Sequence, residues 1–388
     1  MKNGKIFIKN FLKNLSLVCF SLVIIFVFGE ILTRLLWRAE IISLDSIGPV
    51  NRSYIEELND PDLLYVLKPN IDVTVREGFR VKTNDDGFRE DKNYALVKDK
   101  DTYRIFVLGD SVSFGLGVNA DETFPKILEK KLNQNSESLG YKKFEVINAS
   151  VPAYHLLFYR NIYYRKVRKY HPDFLIIGYC FNDAQDTYYA YKYATGKSSG
   201  SAIRIPPFLK RLLRRSVFYV SVAHEVNKFR AVIRNRIELA GMKLPREDEK
   251  VPKIIPKKEE TSGRRLEKDC SVNFFIIRNG LSGEGWGYIK NEEIKRYKDI
   301  AKNDNIGMLF VMFPTFVQLD DDYPCVQEEA GFKNLIESSG FHCLNLFSYY
   351  KGMNERDISI EAIHPNAKGH RIAADAIYAY MAENILRK

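Results

Sequence analysis

Short apolar runs alternate with longer amphipathic segments from Tyr103 to the C-terminus, and this alternation constrains the fold more than any other feature. The apolar runs predict strands at 104–108, 144–148, 174–179, 307–313 and 341–346. The segments that follow them predict helices at 124–134, 156–169, 291–303, 326–338 and 366–386. Strands that alternate with helices are typical of a parallel sheet covered by helices. We therefore expect an α/β fold, and a hydrophobic content of 45% is ample for its core.

Two intervals lie outside this pattern and define the predicted domain organisation. Residues 184–286 separate the third and fourth predicted strands; this interval is too long for a loop and predicts an insertion. Residues 38–100 precede the first core strand, and alternation around Asp86-Gly87 predicts a small β element there. The other divisions are a basic tail at 1–14, a transmembrane helix at 15–37 and a large domain at 101–388 that contains the insertion.

The N-terminal segment has the features of a membrane anchor. Four lysines precede the first acidic residue, and the chain from Leu15 to Gly29 is apolar apart from two serines. With its continuation to Trp37, the segment is long enough for a spanning helix of about 20 residues. Glu30 and Arg34 interrupt it one helical turn apart, a spacing at which they can pair. The lysines predict a cytoplasmic N-terminus with the rest of the chain outside; a cleaved signal peptide is the alternative.

A candidate nucleophile stands directly after the first core strand. The apolar run from Tyr103 stops at Gly109-Asp110-Ser111. Open α/β sheets bind their ligands in this position, outside the carboxyl ends of the strands. A serine on such a turn is suited to nucleophilic attack if a base lies nearby, whereas a turn with a helix-capping serine is the alternative.

Three further blocks supply candidate partners for this serine. They are Val146 to Tyr154 after the second strand, Gly178 to Asp183 after the third, and Glu361 to His370 near the C-terminus. Together with Gly109-Asp110-Ser111, their order resembles the SGNH/GDSL hydrolase family over about residues 60 to 388. The resemblance is to the membrane-anchored bacterial type. It implies a three-layer, flavodoxin-like parallel sheet with helices on both faces.

The resemblance also implies a role for each block in an esterase. Ser111 is expected to be the nucleophile, and His364 the base that takes its proton. Glu361, three residues earlier, is expected to orient the histidine and stabilise its charged form. The oxyanion is expected to receive hydrogen bonds from the backbone N–H groups of Ser111 and Ala153 and from the side chain of Asn182.

Two of these positions depart from the pattern of the family. Ala153 stands where the family usually has glycine, so a left-handed backbone there would cost about 1 kcal/mol. Glu361 stands where the family has aspartate, and its extra methylene changes the reach to His364. A backbone carbonyl that orients the histidine is the alternative to Glu361.

The remaining histidines and cysteines do not indicate a metal or redox site. No two histidines share metal-ligand spacing with a cysteine or a carboxylate, and no Cys-x-x-Cys occurs among the five cysteines. We therefore predict neither a metal nor a cofactor. Cys325 and Cys343 are candidates for a disulfide, which the sequence leaves open. We expect His370 on a helix surface, with packing near the site as the alternative. We expect Arg89, after Gly87-Phe88, in a structural ion pair, with a position facing the site as the alternative.

The insertion accounts for most of the net positive charge of the chain. Between residues 204 and 269 there are 18 Lys and Arg against 9 Asp and Glu, while the whole chain has a net charge of +10. Residues 208–239 are predicted to be helical, with apolar side chains at helical spacing. A basic amphipathic helix can lie on an anionic membrane surface; a lid helix with a solvated polar face is the alternative. An extracytoplasmic location argues against a nucleic-acid partner.

These observations predict a membrane-anchored serine esterase that faces the periplasm or cell surface. The expected substrates are O-acyl esters, and O-acetyl esters in particular, on cell-envelope or exported polysaccharide. Transfer of the acyl group to a sugar hydroxyl uses the same residues and is one alternative. Hydrolysis of a lysophospholipid or other lipid is a second, and a binding module without activity is a third.

Overall fold

The computed structural model describes residues 2–38, 53–58, 60, 63, 65–75, 78–180, 183, 187, 216, 218, 219, 222 and 284–387. The chain divides into two compact units. One contains the described residues of 1–53 and 200–250, and the other contains those of 54–199 and 251–388.

Nine strands occur in the described residues, all of them in the second unit. They are β1 Ile55–Glu57, β2 Tyr65–Leu67, β3 Asp72–Thr74, β4 Arg80–Lys82, β5 Thr102–Leu108, β6 Lys143–Asn148, β7 Phe174–Tyr179, β8 Gly307–Met312 and β9 His342–Asn345. The last five form one sheet in the order β6-β5-β7-β8-β9, and every pair in it is parallel. The predicted α/β fold with a parallel sheet is confirmed, and each core strand lies within two residues of its predicted bounds.

Ten α-helices occur in the described residues. They are α1 Lys2–Arg38, α2 Ser111–Phe114, α3 Phe124–Gln134, α4 Leu156–Ile162, α5 Glu284–Tyr288, α6 Ile294–Asp304, α7 Val326–Ser338, α8 Phe347–Tyr350, α9 Glu355–Ile358 and α10 Ala367–Asn384. Short 3₁₀ turns lie at Ala120–Glu122 and Arg168–Tyr170, and π turns at Tyr163–Val167 and Ile289–Glu293. The helix predicted at 156–169 is therefore α4 with its π and 3₁₀ continuation, which ends at the left-handed His171.

Helices cover both faces of the sheet. Successive residues of a strand point to opposite faces, and on β5 they pack against different helices. On β5, Phe106 and Leu108 belong to one apolar cluster with side chains of α4, α6 and α7. Ile105 and Val107 belong to a second cluster with side chains of α3 and α10. This gives the three-layer arrangement that the resemblance implied.

The segment before β5 contains the predicted small β element, in two antiparallel pairs. β1 pairs with β2, and β3 pairs with β4. The Asp86-Gly87 turn follows β4 and does not connect paired strands. Side chains of this segment, including Tyr65 and Phe88, are buried in the same apolar cluster as Phe106.

In the first unit, α1 is one continuous helix of 37 residues. Its part from Ser16 to Leu36, with a mean hydropathy of 2.3, is the one stretch among the described residues that is long and apolar enough to cross a membrane. The predicted pair is confirmed, since Arg34 lies 2.7 Å from Glu30. Glu30 also accepts hydrogen bonds from the Ser216 hydroxyl at 2.7 Å and the Phe218 N–H at 3.0 Å. The other residues of the helix predicted at 208–239, except Tyr219 and Val222, lie outside the described residues, as does most of the predicted insertion.

Candidate active site

Ser111 is the first residue of α2, directly after the carboxyl end of β5. Asp110 caps this short helix, since its side chain accepts a hydrogen bond from the Val112 N–H at 2.9 Å. A cap of this kind satisfies an N–H group that would otherwise lack a partner at the helix start. The sharp change from strand to helix therefore leaves the serine at the sheet edge where ligands bind.

Two glycines allow α2 to lie close against the sheet. A Cβ atom at Gly109 would lie 2.3 Å from the Ser113 hydroxyl, and one at Gly178 would lie 1.8 Å from it. Both distances are far below contact distance, so any larger residue would push α2 away from β7. The glycine of the Gly-Asp-Ser turn thus has a packing role in addition to its role in the turn.

A hydrogen-bonded chain links Ser111 to two residues that lie about 250 positions later. The Ser111 hydroxyl lies 2.8 Å from Nε2 of His364. Nδ1 of the same ring makes a short hydrogen bond to the Glu361 carboxylate. The three residues expected to be catalytic are therefore together, and the side chain that orients His364 is Glu361, despite its extra methylene.

Glu361 and His364 lie on a tight loop that backbone hydrogen bonds close. Ser359 and Pro365 form an antiparallel bridge across its base. The Ile360 N–H donates to the His364 carbonyl at 2.8 Å. The Phe316 N–H donates to the Ala362 carbonyl at 2.7 Å, which ties the loop to the segment after β8.

The charge state of Glu361 suits an orienting role. The hydrogen bond from His364 lowers the pKa of the carboxyl below its ordinary value of 4.5, and partial burial opposes this effect. The side chain is 52% exposed. Glu361 is therefore an ionised acceptor at neutral pH, with water on one side and the imidazole on the other.

Asp110, the residue directly before Ser111, occupies a different environment, because its side chain is buried. Burial raises its pKa from 3.8 to about 6, against the hydrogen bond from Val112 and the nearby charge of His364. Its Oδ1 atom also lies 3.8 Å from the buried Cys180 sulfur. The carboxylate at neutral pH thus adds negative charge close to His364 in a site of low polarity.

The loop after β6 carries the second expected oxyanion donor. The Val151 N–H donates to the Gly109 carbonyl at 3.0 Å, which extends the β5–β6 pairing beside the nucleophile turn. Ala153 follows with a φ of +61°, the left-handed conformation whose cost the sequence led us to consider. Neither the Ser111 nor the Ala153 N–H donates to any residue that the structure describes. Asn182, the third expected donor, lies outside the described residues.

No protein-family model matches the sequence, and no curated protein matches it at a significant level. Among solved structures, the chain is similar to the acetyl xylan esterase AlAXEase, with 11% identity and a TM-score of 0.36 over 71% of this chain and 98% of that one. It is also similar to TesA, with 12% identity and a TM-score of 0.36 over 72% and 97% of the two chains. The chain is similar as well to a catalytic mutant of Axe2, an acetylxylan esterase from Geobacillus stearothermophilus, with 10% identity and a TM-score of 0.38 over 74% of this chain and 96% of that one. All three TM-scores are below 0.5, so the function proposed below depends on this chain's own residues.

Arg89 does not form the ion pair that the sequence suggested. Its guanidinium donates to the carbonyls of Phe114, Gly115 and Val118, the last two at 2.6 Å. It also lies over the Phe114 ring, 4.2 Å from the centroid. Burial lowers its pKa to about 9. Because α2 ends at Phe114, Arg89 binds carbonyls at the end of the helix that begins with Ser111.

His370 is not on a helix surface, contrary to expectation. The side chain is fully buried, and Nδ1 accepts a hydrogen bond from the Phe124 N–H at 3.3 Å. Burial lowers its pKa to about 3, with the charge of Arg89 acting in the same direction. The ring is therefore neutral and connects α10 to the start of α3. The error arose because the helical pattern of α10 did not reveal which face meets α3.

The cysteines and other ligand-type residues form no metal cluster within the described part of the chain. Cys180, Cys325 and Cys343 are buried free thiols, so the candidate disulfide between the last two is not formed. Burial raises the pKa of Cys325 and of Cys343 to about 12. Both thiols are therefore protonated at neutral pH and pack as small apolar groups.

Proposed function

We propose that this protein is a serine esterase in which Ser111 is the nucleophile, His364 the general base and Glu361 the residue that orients the base. The observation that carries the proposal is the continuous hydrogen-bonded chain Ser111–His364–Glu361. It joins a turn at the sheet edge to a loop from the far end of the sequence. An isolated serine hydroxyl is a poor nucleophile, and this arrangement is the one that activates it.

The reaction follows from the positions of the protons. Ser111 Oγ attacks the carbonyl carbon of an ester while His364 Nε2 takes the hydroxyl proton. Glu361 stabilises the resulting imidazolium, and the nearby negative charge of Asp110 stabilises it further. The tetrahedral intermediate collapses as His364 returns the proton to the alcohol that leaves, and Ser111 keeps the acyl group. Water, deprotonated by His364, then attacks the acyl-enzyme; as the bond to Ser111 Oγ breaks, His364 returns the proton to that oxygen and the carboxylic acid leaves.

The negative oxygen of each intermediate needs hydrogen-bond donors. We assign this role to the backbone N–H groups of Ser111 and Ala153, together with the Asn182 side chain. Support comes from the N–H groups of Ser111 and Ala153, neither of which donates to a residue in the described part of the chain. One donor of this kind is worth on the order of 10²- to 10³-fold in rate.

We assign the substrate class from the anchor. The Ser16–Leu36 stretch is long and apolar enough to cross a membrane. We propose that it does so with the preceding lysines in the cytoplasm, which would put the catalytic residues outside the cytoplasm. The O-acyl groups available there include acetyl esters on envelope or exported polysaccharide. A reporter of known accessibility fused to the C-terminus tests this topology, and a cytoplasmic C-terminus contradicts it.

The activity is tested with the purified full-length protein in detergent. Wild type is expected to release p-nitrophenol from p-nitrophenyl acetate and to lose this activity in Ser111→Ala. Acetate release from O-acetylated polysaccharide, measured beside acetyl uptake by the de-acetylated polymer, separates hydrolysis from transfer. Equal turnover by wild type and Ser111→Ala overturns the proposal.

A further inference from the structure

Two buried tyrosines, Tyr65 and Tyr154, donate hydrogen bonds to backbone carbonyls near Ala153. The Tyr65 hydroxyl, from β2, donates to the Pro152 carbonyl at 2.9 Å. The Tyr154 hydroxyl in turn donates to the Tyr65 carbonyl. The two rings lie 5.3 Å apart, and the side chains are almost inaccessible to water.

We propose that Tyr65 is a positioning residue for the oxyanion: its hydroxyl fixes the peptide between Pro152 and Ala153, and thereby the direction of the Ala153 N–H. The inference rests on the proposed function, in which that N–H stabilises the intermediate. It extends the site to a strand that precedes the parallel sheet in sequence.

The planarity of the peptide bond connects the two groups. The carbonyl of Pro152 and the N–H of Ala153 belong to one rigid unit, and in a trans peptide they point in opposite directions. A donor that holds the carbonyl on the buried side therefore directs the N–H to the other side. Ala153 itself is exposed, whereas Pro152 and Tyr154 are buried. A hydrogen bond to the carbonyl also polarises the peptide and strengthens the N–H as a donor.

The need for such a contact arises from the residue type at position 153. The φ of +61° is easy for glycine but strained for alanine. Rotation of the Pro152–Ala153 peptide would return Ala153 to negative φ and turn its N–H away from the substrate. The free energy of a hydrogen bond to a buried carbonyl is similar in size to this strain, and a carbonyl left unpaired costs more. The Tyr65 contact is thus of the right size to offset the strain of Ala153.

The location of Tyr65 makes the segment before the sheet part of the site. β2 is held by its pairing with β1, where Tyr65 lies opposite Glu57. Tyr54, just before β1, stacks on Phe114 of the nucleophile helix at 5.6 Å. The same small sheet therefore contacts the helix that begins with Ser111 and the loop that carries Ala153.

The test is a double-mutant cycle in the full-length protein with p-nitrophenyl acetate. Tyr65→Phe is expected to lower kcat about tenfold and to change KM by less than about twofold, because the donor acts on the transition state. The second pair of variants carries Ala153→Gly, and the kcat of Ala153→Gly alone is the reference for that pair. In the Ala153→Gly background, Tyr65→Phe is expected to cost less than about threefold, because glycine keeps positive φ without help.

Tyr297→Phe is the matched control for loss of a buried hydroxyl. Tyr297 is also fully buried and donates to a backbone carbonyl, that of Leu156, at 2.8 Å. The kcat of the Tyr297→Phe variant is expected to stay within about twofold of wild type. An equal loss of kcat in this control, or a Tyr65→Phe effect that is the same with alanine and glycine at 153, overturns the inference. An inactive wild type, or activity that survives Ser111→Ala, instead overturns the proposed function.

Discussion

The two segments that form the candidate site are built in opposite ways. The Ser111 turn lies in the core: Val112, Ser113 and Phe114 are fully buried, and Arg89 binds the end of their helix. The Glu361–His364 loop lies at the surface, with the Glu361 side chain 52% exposed and a few backbone hydrogen bonds to hold it. Apart from changes to Ser111 itself, substitutions around the turn should therefore act through stability, and substitutions in the loop should act through rate.

The largest effect is expected from Ser111 and His364, the two residues between which we propose that the proton moves. Ser111→Ala and His364→Ala should each lower kcat by more than about 10³-fold, because either change removes the activated nucleophile. The double variant should be no slower than the slower single variant, since the residues act as a unit. Steady-state rates and thermal melts of the three variants check this. A product of the two single effects in the double variant contradicts joint action.

Arg89→Lys should be the most destabilising single change at the turn. A lysine cannot reach the carbonyls of Gly115 and Val118 together, and unpaired buried carbonyls cost about 1–3 kcal/mol each. We expect the free energy of unfolding to fall by about 2–4 kcal/mol in denaturant titrations. Arg80→Lys is the control, since Arg80 forms a solvent-exposed pair with Asp72 and its replacement should lower the free energy of unfolding far less. Equal losses in the two variants would show that the carbonyl contacts of Arg89 do not stabilise the turn.

Glu361→Gln should affect rate and leave stability nearly unchanged. The amide keeps the hydrogen bond to Nδ1 of His364 in one orientation but removes the charge that stabilises the imidazolium. We expect kcat to fall about ten- to a hundredfold, less than for His364→Ala, because water has access to the half-exposed side chain. Glu361→Asp should be intermediate. A Glu361→Ala variant with nearly full kcat would mean that another group orients the histidine.

The smallest effect concerns the pH dependence of stability at the turn. Because burial raises the pKa of Asp110 from 3.8 to about 6, the folded protein holds a proton between these values that the unfolded chain has released. Stability should therefore fall as pH rises through this window, by on the order of 2 kcal/mol. Asp110→Asn keeps the acceptor for the Val112 N–H and should flatten this part of the profile. Denaturant titrations at pH 4 to 7 compare the two, and identical slopes contradict a buried, titrating Asp110.

The parts of the fold that could be predicted from sequence are those fixed by local pattern. The core strands are apolar runs, and Gly109-Asp110-Ser111 interrupts the first of them with residues that favour a turn and a helix cap. The left-handed conformation of Ala153, with a φ of +61°, came into consideration only through the resemblance, because the family usually has glycine at that position.

The contacts that hold the site in place could not be read from sequence, because they join distant segments. Arg89 binds carbonyls 25 to 29 positions later, and Tyr65 binds one 87 positions later. A carbonyl acceptor belongs to every residue type, so no motif marks it. The Gly87-Phe88-Arg89 block drew attention to Arg89 but indicated an ion pair, and nothing in the pattern around Tyr65 indicated a role in the site.

The central claim, that Ser111 is an activated nucleophile, is tested most directly by covalent labelling. The full-length protein is treated with a fluorophosphonate, digested and analysed by mass spectrometry. The account predicts one adduct on the peptide that contains Ser111, absent in Ser111→Ala and retained in Ser113→Ala, whose hydroxyl lies buried two residues away. No adduct on wild type, or an adduct that persists in Ser111→Ala, would contradict it.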